Sequence, residues 1–402
     1  MNAASVLAPT ALHAIAEHPH CLGLYSQGNP GPVIVAIGSM HGNEPGGVLA
    51  AERVLSRLAN DTPPFNGTLI ALKGNVTAYE ANQRFITRDL NRLWYEPELA
   101  SLRTIDPKDM SAEDRQQKAL FQLFEHLHSL SSEPVIFIDL HSTSSHSHPF
   151  CMAADTLRNR RIAFQLPLPL VLGLEESING TMLGLLSDWG HITMAVEGGQ
   201  HVHPNTSFNL ESVVWLALVL AGNLDKTDLA DYDKHENRLK KLAKGFPSVS
   251  EVRYRHKVEP GDRFIMEPGF SNFQPVKQDT LLAQDCEGPI LAAESGLVLM
   301  PLYQSQGEDG FFLVREVMPA WLHLSALLRR LHVDKLLPLM PGIRKHPHLP
   351  DHFITRHQSD HTWLLDLLHM LGYRKRRIID GQLIFSRRRP DHVNQEARQT
   401  PQ

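Results

Sequence analysis

Three largely apolar runs, each ending in residues that can bind a metal or move a proton, constrain this chain more than any other feature. Val33-Ile34-Val35-Ala36-Ile37 leads into Gly38-Ser39-Met40-His41-Gly42-Asn43-Glu44-Pro45. Val135-Ile136-Phe137-Ile138 leads into Asp139-Leu140-His141-Ser142-Thr143, and Ile192–Val196 into Glu197-Gly198-Gly199. A short apolar run bounded by turn residues reads as a strand buried on both faces, as in parallel sheets covered by helices. In open α/β sheets, sites gather beyond the carboxyl ends of the strands. Strand alternation also places Asp139 and His141 on one face.

His41 and Glu44 stand three residues apart. An open catalytic zinc site takes three protein ligands, and two His with one Glu is one known set. Alone, the pair reads equally well as a loop histidine and a helix N-terminal glutamate. His141, at a second strand end, is a better candidate ligand than an isolated histidine. Glu197, at a third strand end, stands where a general base is needed. Between these runs, Asn82–Arg92 crowds Arg84, Arg88 and Arg92 with Asp89 and Asn91. It reads either as a charged loop with local Asx turns or as a wall for anions, since the guanidinium fork suits carboxylates.

Helical periodicity covers Gly46–Ala59, Glu113–Ser129, Thr181–Trp189, Leu210–Ala221 and Leu229–Ala243. Further strands are expected at Thr68–Leu72, Phe150–Ala153 and Pro169–Gly173. The pattern changes near residue 246. Val249–Val258 alternates, and Pro260-Gly261, Pro268-Gly269, Gly288-Pro289 and Ser295-Gly296 punctuate short strands as far as Phe311–Val317, the signature of a small β domain. Beyond it come a helix at Trp321–Leu331 and an irregular Pro- and His-rich stretch, Pro338–Pro350. A helix at His361–Leu371 follows, then a hairpin turning at Asp380-Gly381. Its basic flanks, Arg374–Arg377 and Arg387–Arg389, read as a solvated face or acidic-partner surface ahead of a nucleic-acid contact. The tail after Pro390 is polar and of low complexity.

Composition excludes several classes. The 402 residues are 42% hydrophobic and 21% charged, ordinary for a globular chain, and the formal charge of −5 implies no attraction to nucleic acid or a membrane. No apolar run could span a bilayer, and the N-terminus lacks a signal-peptide pattern. Three scattered cysteines argue against a disulfide framework and fit a reducing, cytoplasmic setting.

Taken in order, these motifs resemble the succinylglutamate desuccinylase/aspartoacylase family of the zinc carboxypeptidase clan. The resemblance rests on His41-Gly42-Asn43-Glu44, Arg84 with Arg88-Asp89-Leu90-Asn91-Arg92, Asp139-Leu140-His141, Glu197, Pro268-Gly269-Phe270 and Gly307-Glu308-Asp309-Gly310-Phe311-Phe312. It spans about residues 30–318. It implies one zinc ion per chain on His41, Glu44 and His141, Glu197 as general base, and Arg84 facing the scissile carbonyl. It also implies Asn91 and Arg92 on a substrate carboxylate, Asp89 orienting His41, and Tyr303 reaching in from the β domain. One departure stands out. The arginine with which aspartoacylase reads a second carboxylate falls at Ser187 here, and no Arg lies between Ile162 and Glu197, so acetylaspartate is a doubtful substrate.

The expected architecture is a three-layer α/β/α zinc-carboxypeptidase-like domain with a mixed sheet (residues 1–245), a small all-β domain (246–320) and an α+β extension (321–402). The expected reaction is zinc-dependent hydrolysis of an amide in a small N-acylated carboxylate. A peptide carboxypeptidase and a non-catalytic metal-binding interaction protein are the alternatives. The expected partner is a small molecule, without membrane or nucleic acid; a homo-oligomer stays open.

Overall fold

The computed structural model describes residues 7–340, 342–349, 351–355, 362–379 and 382–387. Its centre is four parallel strands in the order Thr68–Lys73, Val33–Gly38, Ile136–Thr143 and Ile192–Gln200. Cys21–Ser26 pairs antiparallel on one edge. On the other, Phe150–Ala153 runs antiparallel to Ile192–Gln200, and Leu170–Leu172 lies parallel to Phe150–Ala153.

The apolar runs are strands because both of their faces are covered. Val33, Val35, Ile37 and Phe137 pack on one side with Leu120, Phe124 and Leu127 of the helix Ala112–Leu130. Ile34, Ala36, Ile136 and Ile138 pack on the other, with Val54 and Leu58 of Gly46–Asp61 and Val213 and Leu216 of Asn205–Ala221. The period-2 alternation thus feeds two cores, giving a three-layer α/β/α body. Truncating one such residue, Phe137→Ala for example, typically costs about 3–5 kcal/mol.

The expected division at residue 246 falls inside one continuous sheet. Val249–Lys257 pairs parallel with Leu170–Leu172, and Asp309–Glu316, Gly296–Leu299 and Gln274–Val276 follow antiparallel, giving eleven strands. Two further antiparallel sheets flank it. One has three strands, built around Leu281–Asp285. The other has four and belongs to the extension: Ile343–Lys345, His352–Thr355, Gln382–Ser386 and Lys375–Ile379.

Two expectations change here. Pro338–Pro350 is not wholly irregular: a 3₁₀ segment, Val333–Leu339, runs through Pro338, and Ile343–Lys345 forms a strand whose Ile343 is buried. Arg374 is no surface cation, because it is buried against Asp155 and Glu251. The hairpin strands pair, while its turn at Asp380-Gly381 and the tail after Pro390 lie outside the described residues.

Candidate metal centre

Parallel register brings the strand ends together. Gly38 lies opposite Leu140, and His141 opposite Glu197, so the segments after three strands meet at one edge of the sheet. The chain leaves Val33–Gly38 through Ser39, whose φ of 56° is left-handed and whose hydroxyl donates to the Glu44 carbonyl, 2.9 Å away. Gly42 is required there, since a Cβ would lie 2.1 Å from the backbone of Ala78. Its N–H donates to the Arg84 carbonyl, which ties the two loops.

His41, Glu44 and His141 are all buried, and each offers a ligand atom within 4.8 Å of the others. His41 Nδ1 lies 2.9 Å from Glu44 Oε1, and His141 Nδ1 3.1 Å from Glu44 Oε2. Each ring turns its other nitrogen to a carboxylate: His41 Nε2 is 3.2 Å from Asp89 Oδ1, and His141 Nε2 is 2.8 Å from Asp139 Oδ2. Burial opposes charge on Glu44, but the two imidazoles hold its carboxyl well below the usual range. Burial also works against a charged His141, yet Asp139 and Glu44 outweigh it and raise the ring well above its ordinary value. Two ring nitrogens converging on one carboxylate, with an outer carboxylate behind each ring, is the donor set of a carboxylate–histidine–metal centre. The residues fit a divalent ion.

Residues 30–212 match the profile of the succinylglutamate desuccinylase/aspartoacylase catalytic domain. The matched stretch holds His41, Glu44, Arg84, His141 and Glu197. Solved structures share the fold. A succinylglutamate desuccinylase/aspartoacylase from Rhodobacter sphaeroides superposes with a TM-score of 0.53 at 18% identity, over 73% of this chain and 88% of its own. The succinylglutamate desuccinylase from Chromobacterium violaceum gives 0.53 at 15%, over 78% and 99%. That from Vibrio cholerae gives 0.51 at 16%, over 71% and 82%. A search of curated proteins returns no match.

Glu197 lines the same cavity, beside His141, and its Oε2 has no hydrogen-bond partner among the described residues. Burial pushes its carboxyl up to about 8. Arg84 reaches Asp89 at 3.0 Å and Glu44 at 3.7 Å. Its segment is held by buried Glu113, whose carboxylate accepts from the N–H groups of Ile86 and Thr87 and from the Thr87 hydroxyl. That carboxylate opens the helix Ala112–Leu130, where Ser111 and Asp114 form a capping box.

The remaining expected residues divide. Asn91 and Arg92 line the cavity, but both have protein partners: Asn91 Oδ1 accepts from Met182 N at 3.0 Å, and Arg92 Nη2 lies 2.6 Å from Asp309. Tyr303 is not in the lining. Its hydroxyl donates to the Glu267 carbonyl and accepts from Phe270 N, within the β portion. Its neighbour Gln304 lines the cavity instead, with Met300, Pro301, Leu302 and Gly307–Asp309 of the same segment, and the cavity holds about 100 Å3.

Asp139, which strand alternation placed on the face of His141 without a role, backs that ring. Two further contributors escaped the sequence reading. Ser142 N–H donates to Glu44 Oε2 at 2.9 Å. His201, four residues past Glu197, lines the cavity with Nδ1 2.7 Å from the Ser142 hydroxyl; nothing local distinguishes it among 23 histidines.

Proposed function

We propose that this protein is a zinc-dependent deacylase, hydrolysing the amide that joins a short acyl group to an amino acid or similar small carboxylate. The observation that carries the reading is the convergence of His41, Glu44 and His141 with Glu197 and Arg84 on one narrow cavity. A zinc ion held by the first three would act as a Lewis acid, polarising a carbonyl oxygen and acidifying water near neutral pH. Glu197 takes the proton of the attacking water and returns it to the departing amine. Its raised pKa suits the second transfer, and its carboxylate form the first. Arg84 donates to the oxygen on which negative charge develops. Asp89 and Asp139 hold Nε2–H on the two rings, so that each Nδ1 keeps its lone pair.

A peptide carboxypeptidase would need an open groove. A cavity of about 100 Å3, lined in part by the Met300–Asp309 segment, favours small substrates instead. Arg84 and Arg92 are the arginines or lysines in the lining, and Arg92 already faces Asp309. One substrate carboxylate is therefore easier to place than two, which keeps acetylaspartate an unfavoured substrate. Unpaired Cys21, Cys151 and Cys286 suit a reducing compartment, and we place the reaction in the cytoplasm.

Zinc-loaded protein tested on a panel of N-acyl amino acids, with His41→Ala and Glu197→Gln as controls, decides the matter. One zinc per chain and turnover lost in both variants are expected. Protein without stoichiometric zinc, on which His41→Ala has no effect, would end the proposal.

A further inference from the structure

The helix Pro319–Arg330 has apolar character on two sides, and only one side is buried. Leu322 and Ser325 face inward, and Arg329 reaches Asp155. On the outer side Trp321, Leu324, Leu327 and Leu331 recur three or four residues apart. Met318 precedes this strip, and Leu336 and Leu339 continue it through the following 3₁₀ segment. All seven are between 39% and 81% exposed. Scattered exposed leucines are ordinary; a contiguous strip of this kind marks a contact surface.

Charge identifies the partner. Between Pro319 and Leu349 the sole acidic residue is Asp334, which is buried and accepts from the Tyr373 hydroxyl. Arg330, Lys335, Arg344 and Lys345 are exposed, and none has a carboxylate within ion-pair distance among the described residues. On the helix's other flank, a groove of about 870 Å3 is lined by Leu166, Leu168, Phe246 and Leu322, with Arg161 and Lys244 and no carboxylate. Residues 319–402 hold 14 basic against 7 acidic residues, in a chain whose formal charge is −5. The remainder is therefore acidic, so a negatively charged plane favours the face that carries Arg330, Lys335, Arg344 and Lys345 over the rest of the molecule. A symmetric pair of copies would bring Arg330, Lys335, Arg344 and Lys345 of both together around this strip.

We propose that this face adsorbs to an anionic phospholipid surface. The Met318–Leu339 strip enters the boundary between headgroups and acyl chains, and Arg330, Lys335, Arg344 and Lys345 meet the lipid phosphates. Adsorption of this kind needs no spanning segment, and no helix among the described residues is long and apolar enough to be one. It revises the expectation of no membrane partner, which rested on net charge and spanning runs alone. It is independent of the deacylase reading, because binding rather than turnover is measured.

Full-length protein is sedimented with vesicles of phosphatidylcholine alone and of an equal mixture with phosphatidylglycerol. Binding to the mixed vesicles is expected to be stronger by about tenfold or more, and to weaken as salt rises. The paired variants Leu324→Glu with Leu327→Glu, and Arg330→Glu with Lys335→Glu, are each expected to abolish it while thermal melting is unchanged. A blue shift in tryptophan emission on binding, absent in Trp321→Phe, would place the strip in the lipid. Equal binding to both vesicle types, binding that survives both variants, or no binding at all overturns the proposal. So does a dimer by light scattering that Leu327→Glu dissociates while wild type ignores vesicles; the strip would then belong to a second copy.

Discussion

At the residue scale, buried carboxylates decide what the centre can do. Asp89 and Asp139 stand behind His41 and His141 and fix which nitrogen of each ring is free. Removing such outer partners typically weakens metal binding about 10–100-fold. Asp139→Ala and Asp89→Ala are therefore expected to lower zinc affinity by that order, read by chelator competition. Glu197→Gln should instead keep the metal and reduce kcat by about 10²–10⁴-fold. Glu197 also gives a pH signature in metal-free protein. Its folded pKa, about 8, lies above the ordinary carboxyl value of 4.5. The folded state thus holds a proton that the unfolded chain has released, and stability falls as pH rises through this interval. In chelator, Glu197→Gln should melt above wild type by a margin that grows from about pH 4.5 and levels off above about pH 8. A margin that shrinks with rising pH would contradict the assignment.

At the scale of elements, the molecule depends on what docks the extension. Asp155 follows the strand Phe150–Ala153, and its carboxylate is fully buried against Arg160, Arg329 and Arg374 at 2.5–2.7 Å. Arg374 also reaches Glu251 at 2.8 Å, and Arg160 donates to the Leu322 carbonyl and the Ser325 hydroxyl. Burial opposes charge on Asp155, but the three guanidinium groups hold it well below the usual range; Glu251 is likewise depressed despite burial, by His369 and Arg374. Depressed carboxyls stabilise the fold above their unfolded pKa, and that contribution drains away as pH falls through the folded values. Breaking such a cluster leaves arginines buried without compensation, typically at about 3–5 kcal/mol. Asp155→Asn is expected to lower Tm at neutral pH and to flatten the loss of stability below about pH 4, read by thermal melts across the acid range. Sequence patterning placed the helix Pro319–Arg330 and the hairpin strands, yet it made Arg374 part of a surface patch. A run of basic residues looks the same whether it meets solvent or a buried Asp more than 200 positions away.

At the scale of the whole molecule, one eleven-stranded sheet joins the catalytic portion to the β portion, and the extension closes over its far half. A chain ending at Met318 would uncover Asp155, Arg160 and the surface under Leu322, and is expected to melt lower and aggregate. Scanning calorimetry compares it with the full chain. Zinc should raise the Tm of the full chain, since a ligand that binds only the folded state stabilises it by mass action. The sequence by itself determined the central strands and the edge where chemistry would gather, because apolar runs, turn residues and strand alternation are local signals. It also supplied His41, Glu44, His141, Glu197 and Arg84, each fixed to a strand end or a short motif. Only the tertiary structure decided that Arg92 is matched by Asp309, that Tyr303 turns away while Gln304 and His201 face the cavity, and that the strip from Met318 to Leu339 stays uncovered. Those outcomes depend on which distant side chain arrives to satisfy a charge or cover an apolar face, and a linear pattern carries no record of that.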